Sequence, residues 1–113
     1  MTIQYKNQGF TLANTAATSV LTAPGNARLL IKQVQAVNIH SSAVTLTTQV
    51  TDTSATATHT IGNQDIAAVS TVDIITNTLV LEEGDILKMT AETGAKISGI
   101  ISYAQLDRSQ ENG

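Results

Sequence analysis

The sequence predicts an all-β protein, an antiparallel β-sandwich that is jelly-roll-like and carries polar terminal arms. Three observations predict it. Apolar residues recur mostly with period two or in short runs, the pattern of half-buried strands. Turn signals fall at Pro24-Gly25, Ser41-Ser42, Asp52 to Ser54, Gly62-Asn63, Glu83-Gly84 and Thr93-Gly94. No segment has the caps of a helix. Short strands at such spacing assemble as a sandwich or barrel.

Residues 1–16 read as a polar N-terminal arm and first strand, 17–106 as the sandwich domain and 107–113 as a polar C-terminal tail. Pro24-Gly25 makes a bend that suits the fixed φ of proline. "ARLLIKQVQAVNIH" follows, rich in β-branched residues. Its first half could also be helical, but the Pro-Gly before it and the Thr-rich strand after it favour β. Leu30, Val34 and Ala36 share one parity and Ile31, Val37 and Ile39 the other, so the apolar face changes along it. That change predicts a long strand with a bulge or bend. "AVTLTTQV" alternates cleanly, with Val44, Leu46, Thr48 and Val50 on one face.

"STVDIITNTLVL" gives one or two short strands around Thr76-Asn77. In "LVLEEGDILKMTA" the apolar alternation on both sides predicts a hairpin, with Gly84 supplying positive φ at the bend. Glu82, Glu83 and Asp85 would then lie at an exposed tip, where charge resists unwanted edge pairing. "AKISGIISYAQL" is the last strand, with Ile97, Gly99, Ile101 and Tyr103 alternating with Ser98, Ile100, Ser102 and Ala104. Both this strand and "IAAVSTVDIITNTLVL" carry apolar residues on both parities. A two-layer sandwich buries only one face of each sheet, so the second apolar face calls for a cover. Another copy of the chain is the simplest one, and the expectation is a homo-oligomer.

The 113 residues fit one domain. Six basic and nine acidic residues leave a net charge of −3, and the basic ones form no run. This excludes a generic nucleic-acid binder, which needs a basic face to neutralise phosphates. Charged residues are 13%, about half the usual share, and threonine takes their place on the surface. There is no cysteine, so disulfides, thiolate metal sites and cysteine nucleophiles are excluded. "MTIQYKNQGFTLANTAATS" lacks the basic and apolar regions of a signal peptide, and no apolar run has the length of a membrane span. Aromatic residues are 3%, namely Tyr5, Phe10 and Tyr103, which argues against a stacking platform for sugars or bases.

The search for chemistry finds no catalytic, cofactor or metal site. His40 and His59 stand alone, at strand ends or in loops, without the grouped ligands of a zinc site. His40 and Ser41 are adjacent and would point to opposite faces of a strand, so they form no nucleophile–base pair. Asp52 among hydroxyls and the "EEGD" acids lack the alternate spacing of a calcium loop. No glycine-rich phosphate loop is present.

"SVLTAPGNARLLIKQVQAVNIHSSAVTLTTQV" and "TLVLEEGDILKMTAETGAKISGIISYAQL" together resemble a group of short virion proteins of tailed bacteriophages. The shared pattern is a Pro-Gly turn, an aliphatic strand leading to an Asn and a small-residue turn, and a "VTLTT"-type strand. It ends with an L-x-x-G-D-x-L turn and a last strand closing near Ser102-Tyr103. The likeness spans roughly residues 18–106 and holds no catalytic motif. It implies a non-enzymatic β-sandwich that decorates or cements a capsid. A tail, neck or fibre-associated component is the alternative within virions, and a host-surface glycan module the rival of another class.

The implied partners are further copies of the chain, as a homotrimer, and the major capsid protein or other virion proteins, with no nucleic acid, membrane or cofactor. The implied location is the capsid exterior, after assembly in the bacterial cytoplasm. Extended arms can add a strand to a partner sheet, and Ile3, Tyr5 and Phe10 are the expected anchors in the first arm.

Overall fold

The computed structural model describes residues 2–75 and 77–107 and shows nine strands among them. They are β1 (Thr2–Leu12), β2 (Thr18–Thr22), β3 (Ala27–Asn38), β4 (Val44–Asp52), β5 (Ala57–Ile66), β6 (Ser70–Ile75), β7 (Leu79–Leu81), β8 (Ile86–Ala91) and β9 (Ile97–Asp107). One sheet runs β1-β9-β3-β6, with β7 sharing the β6 side of β3. The other runs β2-β8-β4-β5, and every pairing is antiparallel. The chain changes sheet at nearly every connection, which is the interlocked Greek-key path of a jelly roll. The expected fold class is therefore the observed one.

The core lies between the sheets. Leu12, Leu29, Ile31, Val34, Ile97 and Ile101 come from the first sheet, and Val44, Leu46, Ile66, Leu87 and Met89 from the second. In β4 the inward set is the one read from the alternation: Val44, Leu46 and Thr48 are buried and Val50 packs at the margin. In β3, Ala27, Leu29 and Ile31 point inward, and then Val34, Ala36 and Asn38 do. The register against β9 slips between Ile31 and Gln33. One extra residue at Lys32 thus moves the inward set to the other parity, as the sequence predicted.

Asn38 is fully buried at the end of this strand. Its Nδ2 donates to the carbonyls of Ser42 (3.0 Å), Ile66 (3.0 Å) and Ala67 (3.3 Å), and its Oδ1 accepts from the His40 amide (2.9 Å). A buried amide with this many partners satisfies its own polar atoms and those of two connections. It holds the bend after β3 against the β5–β6 link.

The structure corrects three expectations. Glu82 to Asp85 is not a hairpin: β7 pairs with β3 in one sheet, whereas β8 pairs with β2 and β4 in the other, so the acids span a crossover. Gly62-Asn63 is not a turn but lies within β5, where the register against β4 slips and Ile61 is the extra residue. Glycine inside a strand often marks such a bulge. His59, expected at a strand end or in a loop, is the third residue of β5 and paired there with Val50, whereas His40 is in the bend after β3 as expected.

Candidate functional site

The inward residues of the first sheet fix which side chains face out. In β9, Ile97, Ile101 and Tyr103 are inward, so Ser98, Ile100, Ser102, Ala104 and Leu106 belong to the outer face. Register then defines rows across the sheet, because residues opposite one another share a face. Tyr5 is opposite Ala104, Ala104 opposite Leu30, and Leu30 opposite Val80. This row is apolar across all four strands, β1, β9, β3 and β7. Tyr5 is 84% exposed and Val80 47%, Leu30 is half-buried and Ala104 is buried.

Neighbouring rows frame it. Ile3, 55% exposed, is opposite Leu106, which is opposite Arg28. On the other side Asn7, Ser102 and Gln33 form a polar row, and beyond it Gly9 is opposite Ile100, which is 41% exposed. Gln33 Nε2 donates to Asp73 Oδ1 at 2.9 Å on β6. The outer face is therefore an apolar stripe, widened on one side by Ile3 and Leu106 and bordered on the other by a polar row. That composition and arrangement fit a protein contact better than bulk solvent.

The three anchors expected from the sequence separate here. Ile3 and Tyr5 stand on the outer face, exposed. Phe10 is opposite Gly99 on the inward side and packs against the margin of the core. A side chain at Gly99 would meet the Phe10 ring and the backbone of Gln35 and Ala36, so the ring takes the place of the missing Cβ. Residues Ile3 to Gly9 are exposed on both faces, yet the strand is paired with β9 along its whole length rather than detached. Residues 108–113 of the expected tail lie outside the described residues. Val80, Leu30 and Ile100 were not singled out as contacts. Their signal was the apolar residue on both parities of strands 79–81 and 97–106.

The acid cluster has a different role from the one its composition suggests. Asp85 is buried, and its carboxylate accepts the Thr53 amide (3.2 Å, Oδ1) and the Glu82 amide (3.0 Å, Oδ2). Its backbone carbonyl accepts from the Ala23 amide (2.9 Å), and the Gly84 amide donates to the Ala23 carbonyl (3.1 Å). Glu83 accepts from Arg28 Nε at 3.1 Å and Glu82 lies 3.8 Å from the same guanidinium. These groups clamp the crossover to the ends of β2 and β4. Among the described residues no three His, Cys, Asp or Glu side chains gather as a metal site would require. Asp52 is occupied as the acceptor for Ser54 Oγ (2.8 Å) and the Ala55 amide (3.3 Å), which hold its carboxyl below the usual range.

A concave surface opens between the β5 edge of one sheet and β7 of the other. Val50, Ile61, Leu79 and Val80 make its apolar part and Asp52, His59 and Glu82 its polar rim, around a volume of about 440 Å³. Asp85 also lines it, with both carboxylate oxygens already held by the Thr53 and Glu82 amides.

Neither a family model nor a curated protein matches the sequence. Solved structures do match it in shape. The Bacillus endospore appendage, a disulfide-linked pilus, aligns at 11% identity over 92% of this chain and 86% of that one, with a TM-score of 0.50. Infectious bursal disease virus, Gx strain, aligns at 10% identity over 95% of this chain and 34% of that one, again with a TM-score of 0.50. A pentameric capsid protein isolated from metagenomic phage sequences aligns at 17% identity over 91% and 63%, with a TM-score of 0.45. At these identities the likeness to the pilus and virus chains is one of fold, an all-β jelly roll that this chain shares with them.

Proposed function

We propose that this chain is a non-enzymatic structural protein of a bacteriophage virion, a capsid decoration (cement) protein that bridges neighbouring capsid subunits. The observation that carries the reading is the apolar row Tyr5–Ala104–Leu30–Val80, which crosses the outer face of a sheet that no helix or second layer covers among the described residues. The sequence resemblance to short phage virion proteins supports it. So does a fold shared with the chains of a pilus and a virus.

The mechanism is burial of that outer face against a neighbouring shell subunit, with Ile3 and Tyr5 as anchors at the β1 end and Val80 at the β7 end. Hydrogen bonds from the polar border set the orientation. Three copies, as a homotrimer on the capsid exterior, would bind the shell at several points and raise the effective affinity without strong single contacts.

The test is the count and position of the chain in intact particles, by quantitative mass spectrometry and electron microscopy. Copies spread over the shell, at a three-fold multiple, are the expected result. Copies confined to one vertex would move the chain to the tail or neck, and particles without it would overturn the reading.

A further inference from the structure

We propose that β1 is a pairing edge for a second copy of this chain, the two β1 strands running antiparallel about a two-fold axis at Asn7. An open edge strand is a template for pairing, and proteins normally blunt it by shortness, bulges, proline or charge. The other edges of this sandwich are blunted. β2 has five residues, a register slip between Ser19 and Leu21, and Pro24 just beyond it. β5 is broken by the bulge at Ile61, β6 has six residues and a register slip, and β7 has three residues. By contrast, β1 is eleven residues long, lacks proline and pairs with β9 without any slip. Its one charge, Lys6, leans back toward β9, with Nζ 3.5 Å from Gln105 Oε1.

The strand also fits itself in one register. The outward N–H and C=O groups of an edge belong to residues of one parity. Two copies therefore pair residues whose numbers have an even sum, outer face beside outer face. A centre at Asn7 superposes the whole of Thr2–Leu12 on its copy. It sets Tyr5 opposite the partner's Gly9, Ile3 opposite the partner's Thr11, and Lys6 opposite the partner's Gln8.

Gly9 leaves open space on the outer face. The nearest heavy atom to its missing Cβ is the Gly99 carbonyl at 3.8 Å, and its β9 neighbour is the exposed Ile100. The partner's Tyr5 ring fills that space and covers Ile100, an aromatic ring rescuing an edge glycine. A centre at Lys6 would instead oppose two ammonium groups, which is unfavourable across strands. A centre at Gln8 takes Tyr5 off the glycine, and both alternatives shorten the overlap. The contact is isologous and links copies in pairs. It is separate from the closure of the proposed trimer, and it joins neighbouring oligomers where a shell holds them close.

The chain has no cysteine, so single thiols report the register directly. Asn7→Cys, Gln4→Cys and Thr11→Cys chains are oxidised and run without reductant, with circular dichroism confirming the native fold. The expected result is a covalent dimer from Asn7→Cys and its loss in the other two, because a disulfide cannot bridge Cα atoms more than about 7 Å apart. Equal yields from all three, or no dimer from a folded Asn7→Cys chain, overturns the pairing. On the unmodified chain, alternate β1 amides should gain protection from hydrogen exchange as concentration rises; protection independent of concentration also overturns it. Both measurements use the isolated chain, so their failure leaves the virion reading standing, and particles without the chain would leave the pairing standing.

Discussion

Asp85 shows how one carboxylate can look like chemistry and act as a joint. Each oxygen accepts a different backbone amide, from Thr53 and from Glu82, and the side chain is 5% exposed. Asp85→Asn turns one of those oxygens into a donor facing an N–H. The expected loss is about 1–3 kcal/mol by urea unfolding, the cost of an unsatisfied buried amide. Glu83→Gln keeps its shape and alters an ion pair with the half-exposed Arg28, so it should cost at most about 1 kcal/mol. Gly84 has φ +86°, and a Cβ there lies 3.7 Å from the Thr53 side chain. That separation is ordinary contact, so Gly84→Val should cost about 1–2 kcal/mol through the left-handed backbone strain alone. The positive φ was readable, because a lone glycine among acids at a bend has few other uses. The burial of Asp85 was not, because its partners Thr53 and Ala23 are remote in sequence. Asp52 gives the pH counterpart. Chiefly the Ser54 hydroxyl, and then the Ala55 amide, lower its folded pKa from 3.8. Its contribution to stability is thus present above that ordinary value and lost as pH falls through the lowered one. A carboxyl titration of the folded chain by NMR should place Asp52 below 3.8, and Ser54→Ala should raise it.

At the scale of an element, β3 carries the sharpest consequence of period two. Its first half buries Ala27, Leu29 and Ile31 and its second half Val34, Ala36 and Asn38, so Lys32 is the residue that lets both halves face the core. Deleting Lys32 forces one half to point its apolar side chains at solvent. The expected outcome is loss of the cooperative thermal transition in circular dichroism, although the deleted side chain is itself exposed; a retained transition would mean the bulge can move to another residue. Gly99→Ala tests the neighbouring strand. Its Cβ would collide with the Gln35 carbonyl and lie 2.8 Å from the Phe10 ring, so overpacking should cost about 1–3 kcal/mol. The strands β3, β4 and β9 were legible because local alternation decides them. The crossover between β7 and β8 was not, since a turn flanked by apolar residues has the same sequence pattern whether its strands pair with each other or diverge into two sheets. Gly62 was misread for a related reason: the glycine of a mid-strand bulge and the glycine of a turn look alike until the partner strand is known.

At the scale of the molecule, the candidate surface is a product of register. Tyr5, Leu30, Val80 and Ala104 are spread over the chain, and only the pairing of β1, β9, β3 and β7 brings them into one row. The sequence held the hint in its doubly apolar strands but not the alignment. Val80 separates the contact with a shell from pairing at β1, because β7 lies at the far side of the sheet from that edge. Val80→Thr keeps a β-branched shape at a position 47% exposed, so unfolding should shift by no more than about 0.5 kcal/mol. If the outer face seats the chain on a capsid, Val80→Thr should weaken rebinding to stripped particles by about tenfold, the equivalent of about 1.4 kcal/mol. Ile39→Thr introduces the same hydroxyl at a more accessible residue, 63% exposed, just after β3 and away from the row, and should leave rebinding unchanged. Cosedimentation with the particles at constant salt measures both. Equal losses from the two variants would mean that the shell senses general surface hydrophobicity, and the outer face of the first sheet would lose its claim to be the contact.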